Sequence, residues 1–306
     1  MAMPYPEVLH EIAQGDPAVW GVSIDCWWFI SGLASEFPER AIEVGIAEQN
    51  GVGIAAGLAL CGKVPFVHGM VPFVTMRSFE QVRTDIGYQH LNVKIVGAYS
   101  GGLEQGPWGC THHGVEDVAL MRLVPGMTVV LPADAWEAEQ AARALAALDG
   151  PAYIQLRGGE LARAGERSFQ LGRASVLRPG GDVTIVACGA LVGEALAAAD
   201  MLVGKGVDAR VLNMHTVKPL DRDAVLKAAA ETRGLVTLEE HTIVGGLGGA
   251  VAEVLAEQPS VPLRRLGLPD TFAKRTAGRA ELLETYGMTA RHAAEAAIEL
   301  LEGHNA

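Results

Sequence analysis

A carboxylate stands out where an apolar run meets a helix-like segment of small residues. Glu48 lies in residues 43–50 (EVGIAEQN), and the Gly- and Ala-rich residues 51–59 (GVGIAAGLA) follow it. A strand followed by a helix would bring Glu48 to the carboxyl edge of a sheet, where ligands bind in α/β proteins. Glu48 is therefore a candidate ligand-binding carboxylate. The alternative is that it only complements the dipole of the first helical turn.

Two histidines follow each other in a Gly-rich loop. His112 and His113 lie in residues 106–117 (GPWGCTHHGVED), just before an acidic helix start. Adjacent side chains diverge, so one ring can face a pocket, and histidine suits proton transfer near neutral pH. The alternative is a loop histidine that caps the next helix. A metal site is less favoured, because Cys110 and Glu116 do not give a familiar ligand spacing.

Three other segments carry weaker signals. Phe73, in residues 68–81 (HGMVPFVTMRSFEQ), links a strand to a helix and could be ordinary core. Residues 239–249 (EEHTIVGGLGG) have neither the GxGxxG spacing nor the Lys-Ser/Thr ending of a phosphate loop. Residues 181–183 (GDV), with Asn213 downstream, lack the second glycine of a diphosphate–metal motif. We therefore expect no metal site in this chain.

Short apolar runs alternate with longer Ala-rich stretches, which indicates an α/β fold with a mostly parallel sheet. In the first half we predict strands at 22–25, 41–44, 64–68, 93–99, 128–131 and 152–156, and helices at 48–60, 79–88, 116–123 and 135–147. In the second half we predict strands at 183–187, 209–213 and 234–239, and helices at 192–203, 221–232, 249–257 and 290–302.

The texture of the chain changes between these halves. Residues 160–178 are polar and residues 179–181 (PGG) are a turn signal, after which the alternation restarts. We place the domain boundary near residue 175, which gives two doubly wound domains, 1–175 and 176–306.

Composition excludes several classes of protein. The 306 residues carry 24 basic and 36 acidic side chains, a net charge of −12, so a nucleic-acid binder is not expected. The four cysteines form no CxxC pair. No apolar run reaches membrane-spanning length, and the first residues do not look like a signal peptide. We therefore expect a cytoplasmic protein that does not bind a membrane.

In order along the chain, these segments resemble the transketolase family. Residues 44–59 are similar to a signature shared by transketolases and deoxyxylulose-phosphate synthases, and residues 111–114 (THHG) to the family's histidine segment. Residues 131–134 (LPAD) follow where a P-x-D turn is expected. Residues 217–221 (VKPLD) and 239–241 (EEH) resemble the family's C-terminal domain. The resemblance implies a pyrimidine-binding domain followed by a transketolase-like C-terminal domain.

The resemblance also implies thiamine diphosphate as the cofactor. Glu48 corresponds to the glutamate that hydrogen-bonds the pyrimidine ring nitrogen and favours the imino tautomer. Phe73 and Met70 match the wall against which the pyrimidine packs. His112 matches a histidine near the reacting substrate oxygens. The family's GDG motif with a downstream Asn is missing, so a separate diphosphate-binding subunit should hold Mg²⁺ or Ca²⁺, in an α2β2 assembly.

Departures from the family concern the substrate. Ser100 and Trp108 stand where sugar-phosphate transketolases usually have His and Asp, and Trp27 and Trp28 replace polar groups. Arg157 remains as an anion anchor. We therefore expect the substrate pocket to be lined by Ser100, Trp108, His113 and Arg157, with His112 beside them.

Three functions follow as alternatives. In the first, the chain is a subunit of an enzyme that transfers a two-carbon ketol unit from a ketose, with a carrier-bound or other non-standard acceptor among the candidates. In the second, it is the β subunit of a complex that decarboxylates a 2-oxoacid donor. In the third, it is a degenerate scaffold subunit, against which the presence of Glu48 and His112 argues.

Overall fold

The computed structural model describes residues 4–156, 161, 168–257 and 261–303. In chain order the strands are β1 (Val19–Ser23), β2 (Ala41–Glu43), β3 (Val64–Met70), β4 (Lys94–Ala98), β5 (Thr128–Val130), β6 (Ala152–Leu156), β7 (Ser175–Arg178), β8 (Val183–Ala187), β9 (Ala209–Asn213), β10 (Thr216–Lys218), β11 (Leu235–Thr242) and β12 (Leu263–Leu268). The α-helices are α1 (Tyr5–Gly15), α2 (Ser31–Glu36), α3 (Glu48–Leu60), α4 (Phe79–Gln81), α5 (Asp117–Leu123), α6 (Ala135–Ala146), α7 (Val192–Val203), α8 (Arg222–Glu231), α9 (Leu247–Ala256), α10 (Arg279–Thr285) and α11 (Ala290–Glu302).

Two sheets organise the described part of the chain. The first has the order β10-β5-β6-β4-β3-β1-β2 and is parallel except for β10, which runs antiparallel to β5. The second has the order β12-β11-β8-β9-β7 and is parallel except for β7. The predicted α/β class is confirmed. The boundary near residue 175 stays a prediction, and β10 crosses from the later part of the chain into the first sheet.

The central strands are buried on both faces, as continuous apolar runs of parallel strands predict. Neighbouring residues point to opposite faces, so Val67 and Ile95 enter one apolar cluster with residues of α3 and α5. Phe66 and Val96 enter another cluster, with residues of α1 and α6. The helices therefore cover both faces of the first sheet.

The helix predicted at 79–88 is wrong in its geometry. The chain forms π-helical turns at Phe73–Arg77 and Val82–Gly87 on either side of the short α4. The hydroxyls of Thr75 and Ser78 donate to carbonyls four residues earlier, which competes with the regular helical ladder. Such turns are frequent at functional sites, and the first of the two begins with Phe73.

A buried histidine lies under the carboxyl edge of the first sheet. His68 is fully buried, its Nδ1 lies 3.1 Å from the Val22 carbonyl, and its Nε2 lies 2.9 Å from the Tyr5 hydroxyl. The ring is therefore neutral, with Nδ1–H donating to Val22 and Nε2 accepting from Tyr5. Burial lowers the pKa of His68 from 6.5 to about 4.

We expect His68→Gln to flatten the loss of stability in acid. Because the folded-state pKa lies below the unfolded value, the unfolded chain takes up this proton first as the pH falls. The stability from the neutral ring is complete above pH 6.5 and is lost as the pH falls towards 4. Between pH 7 and pH 5 the wild-type chain should lose about 2 kcal/mol more unfolding free energy in urea than the variant.

Tyr5→Phe is the matched control for this change. It removes the hydroxyl but keeps the titrating ring, so its pH dependence should stay as steep as in the wild-type chain. Equal slopes for wild-type and His68→Gln chains would contradict the burial of a neutral His68.

Among the described helices, none combines the length and the apolar character that crossing a bilayer requires.

Candidate active site

The carboxyl ends of β1, β2, β3 and β4 meet at one edge of the first sheet, because these strands are parallel. The connection from β2 to α3 is fixed at this edge. The Glu43 carboxylate accepts hydrogen bonds from the Asp25 amide at 3.0 Å and from the Gly45 amide at 2.7 Å. Gly45 has a φ of +66°, a left-handed conformation that favours glycine. This turn delivers Glu48 to the start of α3.

Small residues let α3 approach the sheet closely. A Cβ on Gly51 would lie 2.7 Å from the Ile24 side chain, so only glycine fits between α3 and the end of β1. The helix observed at Glu48–Leu60 has the predicted bounds. The close approach buries Glu48 to 5% exposure.

Glu48 is a buried carboxylate with one of its two oxygens engaged. Nη1 of Arg77 donates to Oε1 at 2.8 Å, and the Arg77 side chain is 49% exposed. No hydrogen bond reaches Oε2 from the residues that the structure describes. The pairing offsets the cost of burying the charge, and Oε2 stays available to a ligand.

Aromatic and cationic groups continue from this carboxylate in a row. The Arg77 guanidinium lies 4.3 Å from the centroid of the half-buried Phe73 ring. His112 meets the Phe73 ring edge-on with centroids 5.1 Å apart, and Trp108 meets His112 with centroids 5.0 Å apart. The structure therefore brings Glu48, Phe73 and His112, which are far apart in the sequence, into one line of contacts through Arg77. We call residues 101–114, which carry His112, the His112 loop.

The His112 loop is closed at its base by its own glycines. The Gly102 amide donates to the Gly114 carbonyl at 2.7 Å, and the Gly114 amide donates to the Gly102 carbonyl at 3.0 Å. At the tip, Nδ1 of His112 and the Thr111 hydroxyl lie 2.9 Å apart. The described residues make no hydrogen bond to Nε2 of His112, which can therefore face a substrate.

The neighbouring His113 points into the loop. It is 3% exposed, its Nε2 lies 3.5 Å from the Gly106 carbonyl, and its Nδ1 has no hydrogen-bond partner among the described residues. Burial lowers its pKa below the ordinary value, which favours the neutral ring. Its predicted contact with substrate stays a prediction.

The other candidate residues are distributed around the same edge. Met70 is half-buried at the end of β3, and Trp108 is 55% exposed. Ser100 follows β4 with a φ of +59°, and its buried hydroxyl has no partner among the described residues. Such backbone strain clusters at functional sites. Arg157 lies outside the described residues.

Sequence reasoning missed Arg77. It follows Phe73 by four residues, a spacing that brings two side chains together on one helix face.

A second group that sequence reasoning missed lies just after the His112 loop. The Asp117 carboxylate accepts from the Tyr153 hydroxyl at 2.6 Å and from the Gln155 amide at 2.7 Å, which joins α5 to β6.

The described ranges hold no cluster of three or more His, Cys, Asp or Glu side chains placed to bind a metal ion. The chemistry available at this edge is that of a buried carboxylate, an aromatic wall and a histidine.

Comparison with known proteins places this arrangement in a family. The family model "Transketolase, pyrimidine binding domain" matches residues 1–162, and "Transketolase, C-terminal domain" matches residues 172–293.

Related proteins align with this chain over nearly the full length of both sequences. The chain is 44% identical to the 6-deoxy-6-sulfo-D-fructose transketolase subunit SqwH of Clostridium sp. (strain MSTE9) over 306 residues, covering 98% of this chain and 94% of that protein. It is 39% identical to an apulose-4-phosphate transketolase subunit of Phocaeicola vulgatus, covering 97% and 96%. A solved structure described as "Split gene transketolase, inactive beta4 tetramer" is 41% identical, with a TM-score of 0.89 and 97% of each chain covered. The chain therefore belongs to the transketolase family, as the subunit of a split, thiamine diphosphate-dependent transferase that carries the pyrimidine-binding and C-terminal domains.

Proposed function

We propose that this chain supplies the pyrimidine half of the active site of a split transketolase that transfers a two-carbon ketol unit from a ketose donor. The observation that carries the proposal is the buried Glu48, whose Oε2 is available and whose Oε1 is joined to the Phe73 ring through Arg77. The diphosphate and its Mg²⁺ or Ca²⁺ are held by a separate subunit, in an α2β2 assembly. The naming of the two relatives as subunits of transketolases supports this division.

The residues at the sheet edge fit the aminopyrimidine of thiamine diphosphate. A ring nitrogen needs a carboxyl group in an apolar pocket, and Glu48 supplies one. A flat heteroaromatic ring needs an apolar wall, which Phe73 and Met70 supply. When bound, the cofactor supplies the nucleophilic carbon and the electron sink for cleavage beside a carbonyl group.

Each protein group then has a defined task. Glu48 holds a proton at the pyrimidine ring nitrogen. His112 holds or moves a proton at a substrate oxygen through Nε2, while Thr111 orients its ring from Nδ1. Arg77 holds Oε1 of Glu48 at 2.8 Å and lies 4.3 Å from the centre of the Phe73 ring, so it competes with a bound pyrimidine for the face of that ring.

The substrate pocket favours acceptors with apolar character. Trp28 is 65% exposed and Trp27 47%, and Trp108 lies directly against His112. A carrier-bound acceptor fits such walls. The same rings favour the second candidate, the β subunit of a 2-oxoacid decarboxylating complex. His113, Ser100 and Arg157 complete the proposed pocket.

Reconstitution separates the two candidates. The chain is co-purified with its diphosphate-binding partner, loaded with thiamine diphosphate and Mg²⁺, and mixed in a stopped-flow instrument with a ketose phosphate or with pyruvate. We expect cleavage of the ketose and no release of CO₂ from pyruvate. Release of CO₂ without ketose cleavage would replace the first candidate by the second, and inactivity with both donors would contradict both.

We expect Arg77→Met to strengthen cofactor binding in the complex. The Arg77 guanidinium contacts both the Glu48 carboxylate and the Phe73 ring. A pyrimidine that packs on this ring displaces the guanidinium and so breaks a half-exposed ion pair. Such pairs contribute up to about 1 kcal/mol, which predicts a dissociation constant about threefold lower in isothermal calorimetry. Arg83→Met is the control, since Arg83 makes no ion pair within the described ranges. Weaker binding by Arg77→Met than by the control would show that Arg77 holds the cofactor instead.

A further inference from the structure

The His112 loop is attached to the second sheet at both of its ends. On the entering side, the Leu103 amide donates to Oε1 of Glu240 at 2.9 Å. On the leaving side, the Thr242 amide donates to the Val115 carbonyl at 2.8 Å. Glu240 and Thr242 both belong to β11. One strand of the C-terminal domain therefore fixes both ends of the loop that carries His112.

An arginine holds Glu240 in place. Nε of Arg279 lies 3.1 Å from each carboxylate oxygen of Glu240, and Nη2 donates to Oε2 at 2.6 Å. The Glu240 side chain is 4% exposed and Arg279 is 33% exposed. Contacts of a guanidinium with both oxygens fix orientation as well as charge. The direction in which Glu240 faces Leu103 thus depends on Arg279, the first residue of α10.

The same region of the C-terminal domain presses against the body of the loop. A Cβ on Gly106 would overlap the Ala277 carbonyl oxygen and would lie 2.7 Å from the Leu282 side chain. A Cβ on Gly109 would lie 3.3 Å from Thr276. Leu103 and Val115 are themselves buried in the apolar cluster that contains Leu282. The loop backbone is therefore seated on residues 276–282 without room for a side chain at Gly106.

We propose that Arg279 and Glu240 are positioning residues of the transfer reaction, through which the C-terminal domain sets the place of His112 relative to Phe73. The inference rests on the proposed role of His112. Neither residue lies in the row from Glu48 to Trp108, and both act through the backbone of the His112 loop. A shift of the loop by about 1 Å can cost up to about 10²-fold in rate, so the Arg279–Glu240 pair, which we call the clamp, has a large effect on a reaction that it does not touch.

The test compares Arg279→Met with wild type in the reconstituted, cofactor-loaded complex. Loss of the guanidinium should lower kcat about tenfold, with cofactor affinity unchanged because Glu48 and Phe73 are untouched. In the free chain, amide hydrogen exchange in residues 103–113 should become at least about tenfold faster. Arg279→Lys, which keeps the charge, should recover part of both effects. Glu240→Gln keeps an acceptor for the Leu103 amide, so its kcat and its loop exchange rate should lie between those of the wild-type protein and Arg279→Met.

Arg275→Met is the matched control. Arg275 directly precedes residues 276–282, but it pairs with the exposed Glu281. Its loss should therefore leave both the exchange of the loop amides and kcat at the wild-type values. Unchanged exchange of the loop amides in Arg279→Met would overturn the inference, as would an equal loss of kcat in the control. Hydrogen exchange is measured without substrate and does not depend on the proposed function. If exchange is faster in Arg279→Met but the wild-type complex has no transferase activity, the clamp stands and the proposed function is contradicted.

Discussion

A reconstituted complex that carries Glu48→Gln is expected to turn over its ketose donor about 10³-fold more slowly than wild type. Glutamine has the same shape and keeps an oxygen that can accept from Arg77. Its amide group, unlike a carboxyl group, cannot transfer a proton to a ring nitrogen of the pyrimidine. Stopped-flow measurement of donor cleavage under single-turnover conditions reports the chemical step without product release.

The control for this variant is Glu39→Gln, which changes an exposed carboxylate paired only at 3.8 Å with Arg40. It should keep the wild-type rate. Circular dichroism of each variant checks that the fold is intact. Turnover by Glu48→Gln within twofold of wild type would remove Glu48 from the proposed active site.

Replacement of His112 by alanine is expected to have the second-largest effect. Its ring lies between Phe73 and Trp108, and its Nε2 is available to a substrate oxygen. Loss of one donor that stabilises a developing oxyanion costs about 10²- to 10³-fold in kcat. We therefore expect His112→Ala to lower kcat by about 10²-fold, and calorimetry should show cofactor affinity within a factor of three of wild type.

Cys110→Ala is the matched control on the same loop, because Cys110 is exposed and two residues from His112. It should retain wild-type kcat. If His112→Ala weakens cofactor binding in proportion to its loss of rate, His112 belongs to the cofactor wall and not to the substrate pocket.

Local signals were enough to predict much of the fold. The helices Glu48–Leu60, Val192–Val203 and Ala290–Glu302 and the strand Ala209–Asn213 have the predicted bounds. Each is a run whose own apolar pattern and flanking turn residues define its ends. The predicted strand at 64–68 extends to Met70, which lengthens the element that leads to Phe73.

Elements that depend on distant contacts were missed. The strand Thr216–Lys218 has three residues and exists because it pairs with Thr128–Val130, almost ninety positions earlier in the chain. The π-helical turn Val82–Gly87 packs so tightly that a Cβ on Gly87 would overlap the Val124 side chain. No pattern within ten residues records such a contact.

The site was predicted in its parts but not in its connections. Taken alone, Glu48 fits a helix-dipole acid, Phe73 a core residue and His112 a capping residue. Their order along the chain and the family resemblance united them, and the structure places them in one row. The ion pair of Arg77 with Glu48, and the Glu240–Arg279 pair that contacts the His112 loop, are visible only once the chain is folded.

Exchange of the thiazolium C2 proton of bound thiamine diphosphate for deuterium tests the central claim most directly. Quenched-flow mixing in heavy water followed by NMR measures it in the absence of any donor or acceptor. We predict fast exchange in the assembled wild-type complex. Exchange as slow as in free cofactor should occur with either subunit alone and with the complex carrying Glu48→Gln. Fast exchange in the Glu48→Gln complex would contradict the assignment of Glu48 as the activating carboxylate.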